Sequence, residues 1–121
     1  MSTISKEPVF SVKTEADVVK ARFVKLGTGA ESGIHATAGT DIILGVTLES
    51  ATSGSPVALQ HEGCAEVEAS AAIAIGDKVT ATTAGKAITT VTAANTVRGI
   101  ALTAATTAGQ YIKVFLTNFK I

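Results

Sequence analysis

The pattern that decides the fold occurs twice, first as Gly45-Val46-Thr47-Leu48-Glu49-Ser50-Ala51-Thr52 and again as Gly99-Ile100-Ala101-Leu102-Thr103-Ala104-Ala105-Thr106. Each copy begins with glycine, carries a branched apolar residue and a leucine two positions apart, and ends in Ala-Thr. The alignment runs without a gap through residues 34–52 and 88–106. A glycine at the same position of both copies predicts a bulge or a close approach of a neighbouring backbone.

The repeat extends beyond this pattern. With one residue of slip, residues 18–25 align with residues 73–80. We therefore predict that the chain is built from two similar halves, 16–62 and 71–117, packed about a pseudo-twofold axis. Chance similarity is the alternative interpretation, because a chain rich in alanine and threonine aligns with itself easily.

The composition predicts β structure. Threonine and valine are abundant, and their branched side chains favour strands. Short apolar pieces separated by glycine and proline are typical of a sandwich or barrel. We predict a single all-β domain at residues 13–121, a small β-barrel or β-sandwich, with at most one short helix, at 14–20 or 70–75. The predicted strands are 9–13, 20–26, 41–48, 56–60, 64–69, 77–81, 86–91, 97–103 and 110–117.

Charge and hydropathy argue against several classes of protein. The chain has ten basic and ten acidic residues and a formal net charge of zero, without the basic excess that nucleic-acid binders usually show. No apolar run approaches the ~20 residues of a membrane span, and residues 1–7 lack the apolar core of a secretory signal. We predict a protein that contacts neither nucleic acid nor membrane and is assembled in the cytoplasm. Its single cysteine, Cys64, can form no disulfide within the chain.

Candidates for catalysis and metal binding are few. His61 and Glu62 are adjacent and close to the lone cysteine, but neighbouring strand residues point to opposite faces, so these two side chains diverge. Glu66 and Glu68 share one strand face, without an evident partner for acid–base work. Residues 80–87 are similar to a phosphate-binding loop but lack its first glycine and its hydroxyl. We predict no catalytic site, no metal and no cofactor.

A series of weak motifs resembles a known family. In chain order, the motifs are Ala21-Arg22-Phe23-Val24-Lys25-Leu26, Ile43-Leu44-Gly45-Val46-Thr47-Leu48, Gly63-Cys64-Ala65-Glu66-Val67-Glu68-Ala69, Ile75-Gly76-Asp77-Lys78-Val79-Thr80, Gly85-Lys86-Ala87 and Val97-Arg98-Gly99-Ile100-Ala101-Leu102, before a last apolar strand. Their order and spacing over nearly the whole chain resemble the small capsid decoration proteins of tailed bacteriophages, also called cement or head-stabilising proteins.

The resemblance implies a structural virion protein and not an enzyme. It implies a β-rich fold, homotrimers on the capsid exterior, and binding to the major capsid protein that strengthens the head against the pressure of packaged DNA. Two alternatives stay open. One is a β module that binds a glycan or host surface, for which the chain offers no tryptophan, one tyrosine and four phenylalanines. The other is a small enzyme whose site joins His35, Asp41 and Glu66 across subunits.

The N-terminus is predicted to contact the capsid. Residues 1–12 are expected to form an extended arm, in which Pro8, Val9, Phe10 and Val12 add to a sheet edge of the shell protein. The alternative is that the residues from Val9 onwards are simply the first strand of the domain.

The last predicted strand offers candidate contacts between subunits. Tyr111 and Phe115 share one face of this strand and are predicted to lie at the subunit interface. The alternative is that both side chains pack in a second core layer.

Residues 27–33 are predicted to form a flexible loop, because glycines recur there.

Overall fold

The computed structural model describes residues 9–90 and 96–120, and in these ranges every regular element but one is a strand. The exception is a three-residue 3₁₀ turn, Thr83–Gly85. The predicted all-β fold is therefore confirmed. The strands are β1 (Val9–Thr14), β2 (Phe23–Leu26), β3 (Ser32–His35), β4 (Ile43–Thr47), β5 (Pro56–Gln60), β6 (Cys64–Glu68), β7 (Lys78–Ala81), β8 (Ala87–Thr89), β9 (Thr96–Ala101) and β10 (Tyr111–Lys120).

The strands form two sheets with the same strand order. In the first, β1-β3-β2-β4-β5 close into a barrel, because β1 pairs both with β5 and, in parallel, with β3. Followed around the barrel from β1 towards β5, the order is β1-β5-β4-β2-β3, and the second sheet has the matching order β6-β10-β9-β7-β8. The strands β6 to β10 therefore take the places of β1 to β5. The registers also correspond: Val12 pairs with Val57 in the barrel, and Val67 pairs with Ile112 in the second sheet. The two halves are therefore similar in structure, as the repeat predicts.

Gly45 and Gly99 occupy equivalent places in the two halves. Gly45 pairs with the valine of β2 and Gly99 with the valine of β7 that the repeat aligns with it. A Cβ at Gly45 would lie 2.6 Å from the carbonyl oxygen of Gln60, and one at Gly99 would lie 2.8 Å from the carbonyl oxygen of Phe115. Both glycines therefore allow the close backbone approach that the sequence predicts.

Neither of the two segments predicted as a short helix is helical. The first contains a β-bridge between Val18 and Ala51, and the second contains the corresponding bridge between Ile73 and Ala105. The N–H groups of Val18 and Ile73 donate across these bridges, at 2.8 and 2.9 Å, so they are not available for helical bonds. Thr14, which the sequence places at a helix start, donates its hydroxyl to the carbonyl oxygen of Thr52 instead (2.8 Å).

The predicted loop 27–33 is shorter and better anchored than expected. Its last residues belong to β3, and the rest is held by Glu15. The Glu15 carboxylate accepts the N–H of Gly29 (2.8 Å), the hydroxyl of Ser32 (2.8 Å) and the N–H of Thr28 (2.9 Å). These hydrogen bonds favour the ionised carboxylate and lower the pKa of Glu15 to about 2.

We expect Glu15→Gln to loosen this loop while the strands stay intact. The variant loses the charge that strengthens the three bonds, so the amides of Thr28 and Gly29 should exchange hydrogen faster, as NMR or mass spectrometry can measure. In the natural protein, a lowered pKa stabilises the loop fully above the ordinary value of 4.5, and this contribution is lost as the pH falls towards about 2. Unchanged exchange in the variant contradicts the anchoring role.

The two halves share one core, and the barrel has a second core of its own. The barrel core consists of Val12, Val18, Val24, Val57 and Leu59. The larger core joins Phe23, Ala36 and Val46 of the first half to buried side chains of β6, β7, β9 and β10. Because the first half contributes side chains to this larger core, the two halves share buried apolar contacts.

β1 brings part of the predicted arm into the barrel. Its residues Val9–Thr14 pair with β5, and Val12 is buried. Main-chain hydrogen bonds therefore hold these residues of the predicted arm in the sheet. This is the alternative that the sequence left open. Pro8 and the residues before it lie outside the described residues.

Candidate assembly surfaces

A cluster of charged side chains joins the two halves. Arg22, just before β2, places Nη2 2.9 Å from Oε1 of Glu68, at the end of β6. Nη1 of Arg22 donates to the carbonyl oxygen of Ala84 in the 3₁₀ turn (3.1 Å), and Nζ of Lys86 lies 3.3 Å from Oε2 of Glu68. The side chains of Arg22 and Glu68 are only 12% and 13% exposed, so water screens this pair weakly. We call Arg22, Glu68, Ala84 and Lys86 the junction cluster.

The junction cluster keeps Glu68 ionised. Burial alone would raise the pKa of this carboxyl, but the hydrogen bonds and charges of Arg22 and Lys86 outweigh burial and hold the pKa below its usual value. The first half supplies Arg22 and the second half supplies the carboxylate. Loss of Glu68 leaves the Arg22 charge largely buried without its counterion, which is strongly unfavourable, whereas loss of Arg22 leaves Glu68 with Lys86 alone.

The junction lies where the second sheet has a gap, which we call the seam, between β6 and the turn before β8. The first half closes the equivalent gap with its own backbone. In the barrel, the N–H of Lys13 on β1 donates to the carbonyl oxygen of Glu31 beside β3 (2.9 Å). In the second sheet the equivalent N–H, that of Glu68, donates to the carbonyl oxygen of Ala21 in the first half (2.9 Å). Among the described residues, one parallel bridge remains, between Ala69 just after β6 and Ala87 of β8. The segment 21–23 of the first half thus occupies the seam of the second.

Gly85 makes room for this segment. A Cβ at Gly85 would overlap the carbonyl oxygen of Phe23, and the N–H of Gly85 donates to Ala36 of the first half (2.8 Å). The residue also has a φ of +74°, which favours glycine. The tight contact between the halves therefore depends on the absence of a side chain at this position.

The contact between the halves is not reciprocal. The repeat places Asp77 where the first half has Arg22, and Lys13 where the second half has Glu68. A twofold arrangement would bring Asp77 and Lys13 together, but Asp77 accepts hydrogen bonds from its own half and Lys13 is exposed. The predicted pseudo-twofold axis is therefore wrong, and the halves pack head to tail through two different surfaces.

The second sheet has an exposed side that we call the outer face. It is formed by Cys64, Glu66, Ile100, Tyr111, Lys113 and Phe115. Tyr111 and Phe115 are 45% and 50% exposed, so they lie on the surface and do not form a second core layer. Phe115 lies between Cys64 on β6 and Ile100 on β9. The position of Tyr111 and Phe115 at a subunit interface stays a prediction.

The first half buries the surface that the second half exposes. Phe115, Ile100 and Lys78 correspond by register to Gln60, Val46 and Phe23. Val46 and Phe23 are fully buried in the larger core, against side chains of the second half. Because the equivalent surface of the second half is uncovered, the single chain has one such surface in contact and one available.

A family model matches most of the chain. The family model described as phage cement protein matches residues 4–116. The chain belongs to the phage cement protein family. The resemblance inferred from the sequence is therefore confirmed, and with it the prediction of a structural protein of the virion that associates with the phage capsid.

A solved structure supports the same fold. The chain is similar to the head fiber gp8.5 N base in bacteriophage phi29, with a TM-score of 0.77 and 23% sequence identity. The similarity covers 93% of this chain and 96% of the phi29 chain. No curated protein matches the sequence. The two-sheet arrangement described above therefore has a counterpart in a solved structure.

The three residues considered for an enzymatic site between subunits are His35, Asp41 and Glu66, and their contacts within one copy are as follows. Nε2 of His35 accepts the N–H of Val19 (2.9 Å), and burial together with the charge of Arg22 lowers the pKa of this histidine. Glu66 lies on the outer face, and no hydrogen bond or ion pair described for the chain connects His35, Asp41 and Glu66. The described residues contain no group of three His, Cys, Asp or Glu placed to hold a metal ion. No helix in this part of the chain is long and apolar enough to cross a membrane.

Of the residues predicted to contact the capsid, Val9 and Phe10 are accessible. Each is 36% exposed, whereas Val12 packs in the barrel core. The ring of Phe10 lies edge-on to His61, with 5.4 Å between ring centroids, and both line a cleft of about 390 Å³ between the halves. Phe10 therefore lines this cleft. Its contact with the major capsid protein stays a prediction.

The junction cluster was not predicted from the sequence. Arg22, Glu68 and Lys86 occur in the motifs that carry the family resemblance, but one sequence does not show that they meet. The available signal is the repeat itself. The repeat aligns Arg22 with Asp77, so the two halves carry opposite charges at this position. Only Arg22 is covered by the contact between the halves.

Proposed function

We propose that this protein binds the outside of a phage capsid, through contacts with the major capsid protein, and stabilises the head against the pressure of packaged DNA. The match of the cement family over residues 4–116 carries the proposal. The role is structural and includes no catalytic step, cofactor, nucleic acid or membrane. The protein is assembled onto the capsid exterior in the host cytoplasm.

We further propose that the protein acts as a homotrimer. Head-to-tail contact of the halves supports this, because a heterologous contact that repeats between copies closes into a ring when the rotation allows it. Each copy has one surface of each half that is not used in the contact between its own halves. In a closed ring, neighbouring copies cover both of these surfaces. The exposed Tyr111 and Phe115 lie beside one of these surfaces, where an adjacent copy can cover them.

The N-terminal contact is proposed in a reduced form. Since Val12 belongs to the barrel core, only residues up to Phe10 can reach the shell protein from the predicted arm, with Pro8, Val9 and Phe10 as candidates. The remaining contacts with the capsid then come from the domain itself.

The test uses capsids of the encoding phage that lack this protein. The full-length protein is expected to co-sediment with expanded capsids at a fixed, saturable ratio and to raise the temperature at which they rupture. A variant without residues 1–8 is expected to bind about tenfold more weakly or worse, with His35→Ala as a control that leaves binding unchanged. Failure of the full-length protein to bind refutes the function, whereas unchanged binding of the truncated variant refutes only the arm.

A further inference from the structure

The first half carries the equivalent of the seam that the second half uses in the junction, closed by its own backbone hydrogen bond from Lys13 to Glu31, with both side chains on the surface. In the second half, Glu68 and Gly85 line the seam and receive the segment 21–23. Their equivalents in the first half are Lys13 and Glu31, by the register of β1 with β5 and of β6 with β10 and by the matching hydrogen bonds around each seam. Both residues are exposed. We call Lys13 and Glu31 the free seam.

The second half carries the matching equivalent of the inserted segment. Residues 76–78 correspond to residues 21–23, since Lys78 pairs with Ile100 as Phe23 pairs with Val46. Lys78 is exposed and Asp77 is half-buried. We call Asp77 and Lys78 the free segment. In a single chain, the two halves already contact each other through the junction, and a head-to-tail contact leaves the free seam and the free segment apart from each other.

The charges of the free seam and the free segment are complementary in register. Lys13 stands in place of Glu68, and Asp77 stands in place of Arg22, so the two positions equivalent to the junction's ion pair carry the same charges exchanged. The second pair of positions also matches. Glu31 takes the place of Gly85, and Lys78 takes the place of Phe23, which Gly85 contacts in the junction.

We propose that the free segment of one copy docks on the free seam of the next copy, with ion pairs between Lys13 and Asp77 and between Glu31 and Lys78. The partner at the free seam is a second copy of this chain. This contact rests on the homotrimer proposed above and supplies its interface.

The Asp77 carboxylate can pair with Lys13 of another copy and keep its present hydrogen bonds. Its two hydrogen bonds, from the N–H of Ala74 and the hydroxyl of Thr89, both end on Oδ2. A carboxylate has a second oxygen and several acceptor positions, so Oδ1 can face a lysine. The side chain is held by these bonds, which presents the charge in a fixed place.

The contact between copies must be looser than the junction within a copy. The N–H of Lys13 already donates to Glu31, whereas the equivalent N–H of Glu68 donates to the inserted segment, and Glu31 has a Cβ where Gly85 admits the backbone of Phe23. The incoming segment therefore meets exposed side chains and does not enter the seam. Exposed charged pairs therefore take the place of the tight, shielded contact. Since salt screens exposed pairs, association should weaken as ionic strength rises.

A charge exchange tests the contact. Glu31→Lys and Lys78→Glu each place like charges opposite each other, and we expect each to weaken self-association by about tenfold at low salt. The double variant restores opposite charges and is expected to associate within about threefold of the natural protein. Glu49→Lys reverses a charge on an exposed loop of the first half and serves as the matched control. Sedimentation equilibrium measures association, and circular dichroism confirms that each variant is folded.

The outcomes separate this contact from the homotrimer. Single variants that associate like the natural protein, or a double variant that shows no recovery, refute the proposed ion pairs while the homotrimer stands. A natural protein that is monomeric at micromolar concentration, both free and after release from capsids, refutes the homotrimer and this contact with it.

Discussion

Gly99→Ala is expected to destabilise the protein by about 3 kcal/mol, at the upper end of the usual cost of overpacking. The new methyl group would overlap the side chain of Val114 and lie 2.8 Å from the carbonyl oxygen of Phe115. Relief requires β9 or β10 to move, but both strands are paired on two sides. Alanine regains about 0.5–1 kcal/mol by restricting the unfolded chain, which is too little to offset the clash.

Gly45→Ala is expected to have an effect of similar size, because the repeat gives it the same environment. Its methyl group would lie 2.6 Å from the carbonyl oxygen of Gln60. Urea unfolding followed by circular dichroism measures both variants. Gly54→Ala is the control: its Cβ has open space, and only a φ of +87° opposes it, at about 1 kcal/mol. Equal losses at Gly45, Gly54 and Gly99 would show that the close approach is not what these strands require.

The fold could be predicted from the sequence where local pattern and tertiary environment agree. β5 and the start of β6 lie where alternation and turn residues place them, and the repeat gives the equivalence of the halves. β3 could not be predicted, because Ser32-Gly33-Ile34-His35 has no alternation and forms a strand only between β1 and β2. The helix predicted from Thr14 fails for a related reason, since the N–H groups of Glu15 and Val18 donate to Gly33 and Ala51, which are distant in sequence.

The assembly surfaces were predictable only in part. Tyr111 and Phe115 alternate with buried residues on β10, so their exposure follows from strand periodicity. The head-to-tail packing of the halves does not follow from the repeat, because a twofold packing and a head-to-tail packing give the same sequence alignment. Only contacts that cross the halves, such as Arg22 with Glu68, distinguish the two arrangements.

Glu68→Ala is expected to have the other large effect, a loss of about 3 kcal/mol in the free energy of unfolding. Removal of the carboxylate leaves Arg22, which is 12% exposed, without its counterion in the junction. The expected loss is at the lower end for buried pairs, because both side chains retain some contact with water. Glu66→Ala, two residues earlier on the exposed face of the same strand, is the matched control and should change stability by less than about 0.5 kcal/mol.

The pH dependence gives an independent measure of the same pair. Because the pKa of Glu68 is lowered in the folded protein, its contribution is fully present above the ordinary value of 4.5 and is lost as the pH falls through the lowered value. The natural protein should therefore lose more stability between neutral and acid pH than Glu68→Gln, which has no group to titrate there. Glu15 titrates in both proteins, so its contribution cancels in the difference.

A double replacement separates the cost of an unpaired charge from the value of the pair. Arg22→Met with Glu68→Leu removes both charges and fills the space with apolar side chains, and such exchanges are often neutral or stabilising. We expect the double variant to be more stable than Glu68→Ala by at least about 1 kcal/mol, in the same urea titration. A double variant as unstable as Glu68→Ala would show that the junction depends on the salt bridge itself. The halves would then be held together by specific electrostatic pairing more than by their shared core.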